Sequence, residues 1–379
     1  MRRRRRMFDA EQKAENIHDS TVNQAKGDIH IHNGMTYSEV KDVCEATVRT
    51  EVERLTSDAK KEIMAILESF QKEFYDRLDA LENKERIEKL KKPAMQLCIH
   101  KTIMETVGTE DDEKRKELMD LLIDRLNVEE ECTERVVIED AIEKAAKLSK
   151  PLKALLAALL LRSIIHPEPF MMNHTFGKYG EMFRDLGNLT GLDIAFGRQM
   201  QCIYPMSGLL SGYSYEDILL RNYDLLFRHR GTFGQFKEFA KSHPCINRGI
   251  NLFGLNDMRI ISFDGTKNPE MTDDTEYFFI TSSSEVLKKM FVAQGHMDMV
   301  QALDDLMATQ QPFTHEEVRQ YLHEINDGWD CLFSTFQRKE VIPLLLSPVG
   351  NYLAMGYTKK MGRQPDNFLV ELYKHNQWG

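Results

Sequence analysis

Closely spaced cysteines are missing from this chain. Its six cysteines, Cys44, Cys98, Cys132, Cys202, Cys245 and Cys331, stand far apart, and no pair has C-x-x-C spacing. That excludes a sequence-evident zinc ribbon and argues against a disulfide framework. No apolar run reaches the roughly 20 residues of a membrane span. The longest, Leu152 to Ile165, is interrupted by Lys153, Arg162 and Ser163. No apolar stretch follows Arg2–Arg6, so the N-terminus does not read as a secretory signal. Phosphate-loop and nucleophile-elbow patterns are missing too: Gly208-Leu209-Leu210-Ser211-Gly212 is the nearest approach and fits neither. These absences lead us to expect reduced, mostly buried thiols, a cytoplasmic location, no cofactor, and a chain that leans away from being an enzyme.

An excess of positive charge is also lacking. The 379 residues carry 50 Lys+Arg against 60 Asp+Glu, a formal net charge of −10. Arg2–Arg6 supply five of the positive charges, so the remainder carries −15. Such a body repels phosphate backbones. Met7 directly follows the arginines and reads as an authentic start, which would make them a tag or misplaced initiation; the alternative is a nucleic-acid or localisation patch. With 42% hydrophobic and 29% charged residues, the composition is that of an ordinary folded protein.

What is present begins with a polar stretch, 1–19, followed by a short β-hairpin over 20–35. Ile29 and Ile31 alternate with His30 and His32 between the turn signals Gly27-Asp28 and Asn33-Gly34, the period-2 pattern of a half-buried strand. Two strands alone are marginal in water, so the hairpin should pair with copies of itself or lie on another domain. His30 and His32 share one face and are weak metal candidates, with His18 a conceivable third ligand. No neighbouring carboxylate or cysteine completes a set, and a solvated face is the simpler reading.

Neither glycine nor proline occurs from Thr36 to Lys92. Thr36 and Glu39 form a capping-box pattern. Apolar residues then recur at Val52, Leu55, Ala59, Ile63, Ile66, Phe70, Phe74, Leu78 and Leu81, which is 29 residues in eight steps. That 11-residue periodicity predicts a nearly straight helix. Even 45 residues of it would run about 68 Å, more than one small domain covers. We therefore expect a coiled coil that self-associates through Val52, Leu55, Ile63, Ile66, Phe70, Phe74, Leu78 and Leu81, with Ile29 and Ile31 assisting. The alternative is a helix that folds back near Asn83 onto its own chain.

Pro93 opens a helical bundle over 93–169. Its helices are expected near 113–126, 133–148 and 149–165, the last apolar almost all round and hence central. Residues 170–255 read as helices broken by glycines. Residues 256–379 read as an α+β, winged-helix-like region. There, a short hairpin joins 258–263 to 276–280, Ser282/Ser283 cap a helix, and Thr314 with Glu317 opens another. Leu344–Leu346 forms a buried strand end, and Ser347 with Pro348 starts a helix. Arg228-His229-Arg230, His315/His323, Trp329 and Trp378 suit structural roles better than chemical ones. The fold class expected is mainly α: a short N-terminal β-hairpin, a long coiled-coil helix, a helical-bundle body and a small C-terminal β element.

Several segments carry a resemblance. Gly27-Asp28, Asn33-Gly34 and Thr36-Tyr37-Ser38-Glu39-Val40, the helix Glu117–Arg125, the helix Val136–Leu148 and the segment Leu346–Ala354 resemble an uncharacterised family of bacterial proteins. Residues 117–165 and 344–356 are also similar to abortive-infection alpha type helical proteins, with Ser347 where those carry Thr. Residues 170–340 match least. The resemblance implies a bacterial protein of an anti-phage defence locus and no catalytic residues.

Two functions follow as expectations. The first is a homo-oligomeric interaction protein, a sensor or effector scaffold whose partners are itself and a phage or host protein. The second is a nucleic-acid-binding regulator using the C-terminal strand and helix, with Lys359, Lys360 and Arg363 on phosphates. A hidden nuclease or nucleotide hydrolase is a third.

Overall fold

The computed structural model describes residues 56–79, 88–162, 172–205, 214–247, 253–254, 260–261, 272–279 and 283–360. The chain is mainly α-helical, with two small antiparallel sheets among the described residues. The 20–35 hairpin, the Thr36 capping box and the His30/His32 pair lie outside the described residues, as do Trp378 and Arg363.

Helix α1 spans Ser57–Asp79. Its stripe splits into two parts. Leu67, Phe70, Phe74 and Leu78 are buried within the chain's own core, packed towards α2 (Pro93–Val107) and α3 (Asp112–Asn127). For this half, the fold-back alternative replaces the self-associating seam. Pro93 cannot continue a helix whose donors it lacks, but is favourable in a first turn. The chain therefore restarts as α2 and returns along α1. Arg77 ties the pair to α3 through Asp120 and to its own helix through Glu73.

α3 presents Leu118, Leu121, Leu122 and Leu126 to the core, as its period predicts. Asp111 caps it by accepting from the Glu113 and Lys114 amides. The Lys89 ammonium, almost fully buried, donates to the Val128 carbonyl at 3.1 Å just beyond its other end, where a cation suits the helix dipole. α4 (Thr133–Ala145) buries Ile138, Ala141, Ile142 and Ala145. Arg125, with no exposed side chain, joins α3 to α4 by donating to Glu139 at 2.8 Å and to Glu130 at 2.9 Å.

α5 (Lys150–Leu161) is the centre of the molecule. Every residue from Leu152 to Leu161 is buried, and a fully buried leucine contributes about 1.5–3 kcal/mol. Ser149 caps it through the Leu152 amide. Helix α6 (Met172–Phe183), a 3-10 turn (Arg184–Asn188) and α7 (Gly191–Gln199) follow. Strand β1 (Ile203–Pro205) comes next, then α8 (Tyr215–Asn222) and α9 (Phe233–Ser242). Strands β2 (Phe253–Gly254), β3 (Ile260–Ile261) and β4 (Phe278–Phe279) lie before α10 (Ser284–Ala293) and α11 (Met297–Thr309). The chain finishes with α12 (His315–Ile325), α13 (Gly328–Phe336), β5 (Leu344–Leu346) and α14 (Pro348–Lys360).

Three C-terminal expectations are corrected. The 258–263 and 276–280 strands do not pair with each other: β2 lies between β3 and β4. Ser283 makes no side-chain cap; the Asp224 carboxylate, reaching from the turn after α8, takes the Ser284 amide instead, at 2.8 Å. Nor is 256–379 a winged-helix-like unit. β5 pairs with β1, and α14 buries Val349, Leu353, Ala354 and Tyr357 against α5 and α4. One core therefore draws on 67–227 and 318–357, and a second, smaller one on Leu225 and residues 236–306. The boundary at 255/256 falls inside the second core.

Acid should destabilise this fold. The hydrogen bond from Arg125 holds the Glu130 carboxyl below the usual range. A depressed carboxylate contributes stability above its unfolded pKa, about 4.3 for Glu, and that contribution is lost as pH falls through the folded value. Urea midpoints are therefore expected to be flat from neutral pH to about 5 and to drop below about 4.3. In Arg125→Gln the whole curve should lie lower and the acid slope should be shallower.

Candidate functional site

Two places in the structure combine position and chemistry. The first is the outer half of the α1 stripe. Leu67 is 1% exposed, but one turn towards the N-terminus Ala59, Ile63 and Ile66 are only half-buried, and Met64 is 38% exposed. Val52 and Leu55 continue the same phase and, with Ile29, Ile31 and Leu81, lie outside the described residues. The structure thus places Phe70, Phe74 and Leu78 in the core, and Ile63 and Ile66 half-buried among the described residues.

The second place is a polar network threaded through the main core, where α3, α5, the 184–188 turn and α14 converge. Lys153 and Glu117 form an ion pair at 2.5 Å, each side chain 4% exposed. The Tyr352 hydroxyl donates to Asp124 at 2.9 Å and the Tyr357 hydroxyl to Asp185 at 3.0 Å. Burial, with the neighbouring carboxylates adding to it, pushes both phenols up. They therefore act as hydrogen-bond donors and not as proton shuttles at neutral pH. Burial pushes the Cys98 and Cys202 thiols up to about 11, so neither offers a nucleophilic thiolate near neutrality.

The segment beginning α14 shows why its residues occur together. Leu346 pairs with Ile203. The Ser347 amide donates to the Cys202 carbonyl at 3.0 Å, and its hydroxyl accepts from the Gly350 amide at 3.0 Å. Pro348 fits the first helical position. A Cβ at Gly350 would fall on the Cys202 carbonyl oxygen, far inside contact distance. Ser, Pro and Gly at this spacing let a strand turn directly into a helix that lies against another strand's backbone. Residues 117–162 and 344–356 accordingly meet: α14 packs on α5 and α4, and α4 on α3.

The remaining candidates have structural partners. His315 pairs with Asp217 at 2.8 Å, His323 with Asp330 at 2.9 Å and His229 with Glu317 at 3.3 Å. Arg228 is spent on the Met307 and Gln310 carbonyls, and Arg230 pairs with Glu276. The Trp329 indole donates to the Phe176 carbonyl at 3.0 Å. Lys359 is exposed at the end of α14, in the field of Asp124. Among the described residues no group of three or more His, Cys, Asp or Glu side chains could hold a metal. None of the helices there is long and apolar enough to cross a membrane.

Sequence reasoning missed the polar network. One signal was available: Lys153 interrupts an otherwise apolar helix, and a lysine on a buried face requires a partner. That the partner is Glu117, 36 residues earlier, is a property of the packing.

The chain is a mainly α-helical protein whose described core holds these buried polar pairs. A protein-family model described as ":-like" matches residues 34–366, and the chain belongs to that family. No curated protein and no solved structure matches it.

Proposed function

We propose that this chain is a homo-oligomeric interaction protein: its N-terminal strand and the outer part of the long helix assemble copies, and the helical body serves as a sensor or effector scaffold. One observation carries the reading. The apolar stripe of α1 is covered by the chain itself from Leu67 to Leu78, yet it runs on in phase through Ile66, Ile63, Leu55 and Val52, where the described part of the body supplies progressively less cover. A second copy of the same stripe is the self-complementary surface that would complete it. The bacterial anti-phage setting rests on the resemblance of 117–165 and 344–356, the segments that make the core.

Ile63→Asp/Ile66→Asp in the full chain tests this. The body should stay folded with a modestly lower unfolding midpoint, because both side chains are only half-buried, Ile63 at the rim of the core, while the solution mass should fall to that of a single chain. An assembly of unchanged mass would remove this stripe as the seam.

A further inference from the structure

The second core is not an appendage at one end of the chain. The polypeptide leaves the body after α8 along Leu225–Arg230 and comes back along Gln310–Thr314, immediately before α12. These two crossing segments pair with each other. The His229 amide donates to the Gln311 carbonyl at 3.0 Å and the Phe313 amide to the Phe227 carbonyl at 2.9 Å, with Arg228 opposite Pro312 in an antiparallel bridge.

Side chains along the outgoing segment divide between the two cores. Leu225 is buried with Phe236, Phe291 and Leu303, and Phe227 is buried in the main core against Phe176, Tyr223, Phe313 and Tyr321. Among the described residues, α10 packs on α11, α9 and α11 both pack on the 244–247 turn, and none of the three packs extensively on a body helix.

The base of the smaller unit is closed by its own bonds. Gln310 donates to the Tyr277 hydroxyl at 3.0 Å, and the Tyr277 amide to the Gly231 carbonyl at 3.1 Å. Arg228 spans the pivot, donating to the Asp224 carbonyl at 2.8 Å and to the Gln310 carbonyl at 2.7 Å. Among the described residues, the polar contacts that join 231–309 to the rest gather at the crossing segments and the turn after α8: Asp224 on Ser284, Arg230 on Glu276, Arg228 on the Met307 carbonyl and Gln310 on the Tyr277 hydroxyl.

We infer that the described residues between 231 and 309 form a lobe inserted into the body, which opens and closes as a cooperative unit of its own on the paired crossing segments. A lobe mounted in this way can change position or unfold locally without breaking the main core, because the buried apolar side chains of its described residues cluster with one another and with Leu225 of the outgoing segment, and its connection is two strands wide. This gives the body a movable part. The inference stands independently of the assembly reading.

Hydrogen exchange followed by mass spectrometry on the full chain tests it. Phe291 is fully buried in the lobe core. Phe291→Ala should speed exchange in α9, α10 and α11 by about a hundredfold or more, while peptides of α3, α5 and α14 keep their wild-type rates. Phe291→Leu should give the same pattern with a smaller acceleration, and serves if the alanine variant is too unstable to purify. Leu155→Ala, in the body, should accelerate α3, α5 and α14. Acceleration of α5 and α14 in step with the lobe in both Phe291 variants would overturn the inference, because the chain would then be a single cooperative unit.

Discussion

Lys153→Ala is expected to cost about 3–5 kcal/mol in chemical denaturation, a large share of a stability of about 5–15 kcal/mol. The reason is asymmetry. Lys153 and Glu117 face each other with 4% of each side chain exposed. Truncating the lysine leaves a carboxylate in a core of leucines without its counter-ion, and the desolvation it has already undergone is no longer offset. The double replacement Glu117→Leu/Lys153→Met should recover most of the loss, since an apolar pair of similar volume removes both charges from the interior. A single mutant within about 0.5 kcal/mol of wild type would mean that the pair is reached by water and does not staple α3 to α5.

Gly350→Ala is expected to destabilise the protein by about 3 kcal/mol or more, at the upper end of overpacking costs. The added methyl group would meet the Cys202 backbone carbonyl, not the end of a flexible side chain. No rotamer change relieves it, so either the β1–β5 pairing or the seating of α14 on α5 must give way. Gly356→Ala is the internal control. It lies on the same helix, with nothing within 4 Å of the point where a Cβ would stand, and alanine there should be neutral or stabilise by up to about 1 kcal/mol. Equal losses at both positions would show that helix dynamics, and not the close approach to Cys202, sets the cost. Gly328 carries a comparable constraint, because its Cβ would fall on the Gly180 carbonyl oxygen between α13 and α6.

Local pattern carries much of the fold. The periods of α3, α4 and α5 and the boxes at Thr314/Glu317 and Ser347/Pro348 are legible because each depends on residues within one or two turns. Long-range partners are not. Nothing in Leu344–Leu346 indicates that Ile203–Pro205, far earlier in the chain, is its strand partner. Nothing in Asp224 announces that it caps α10 in place of Ser283. The long charged helix misleads for a physical reason. An apolar stripe records that something covers it, and a second copy or a returning helix leaves the same record. Pro93 is the clue to the returning helix, which covers the stripe from Leu67 to Leu78. Of the candidate site, Ile63 and Ile66 are visible as periodic positions, whereas the Glu117–Lys153 and Tyr–Asp contacts exist only once α3, α5 and α14 are packed.

The proposal that copies of this chain assemble through the stretch of the N-terminal helix left half-buried among the described residues has a direct test. Sedimentation velocity on the full chain at micromolar concentration tests it most directly. The account predicts a species at a whole-number multiple of the 44.1 kDa chain mass, reduced to one chain when residues 1–55 are removed and the covered positions Leu67 to Leu78 are kept. A single 44.1 kDa species for the full chain at that concentration would contradict it.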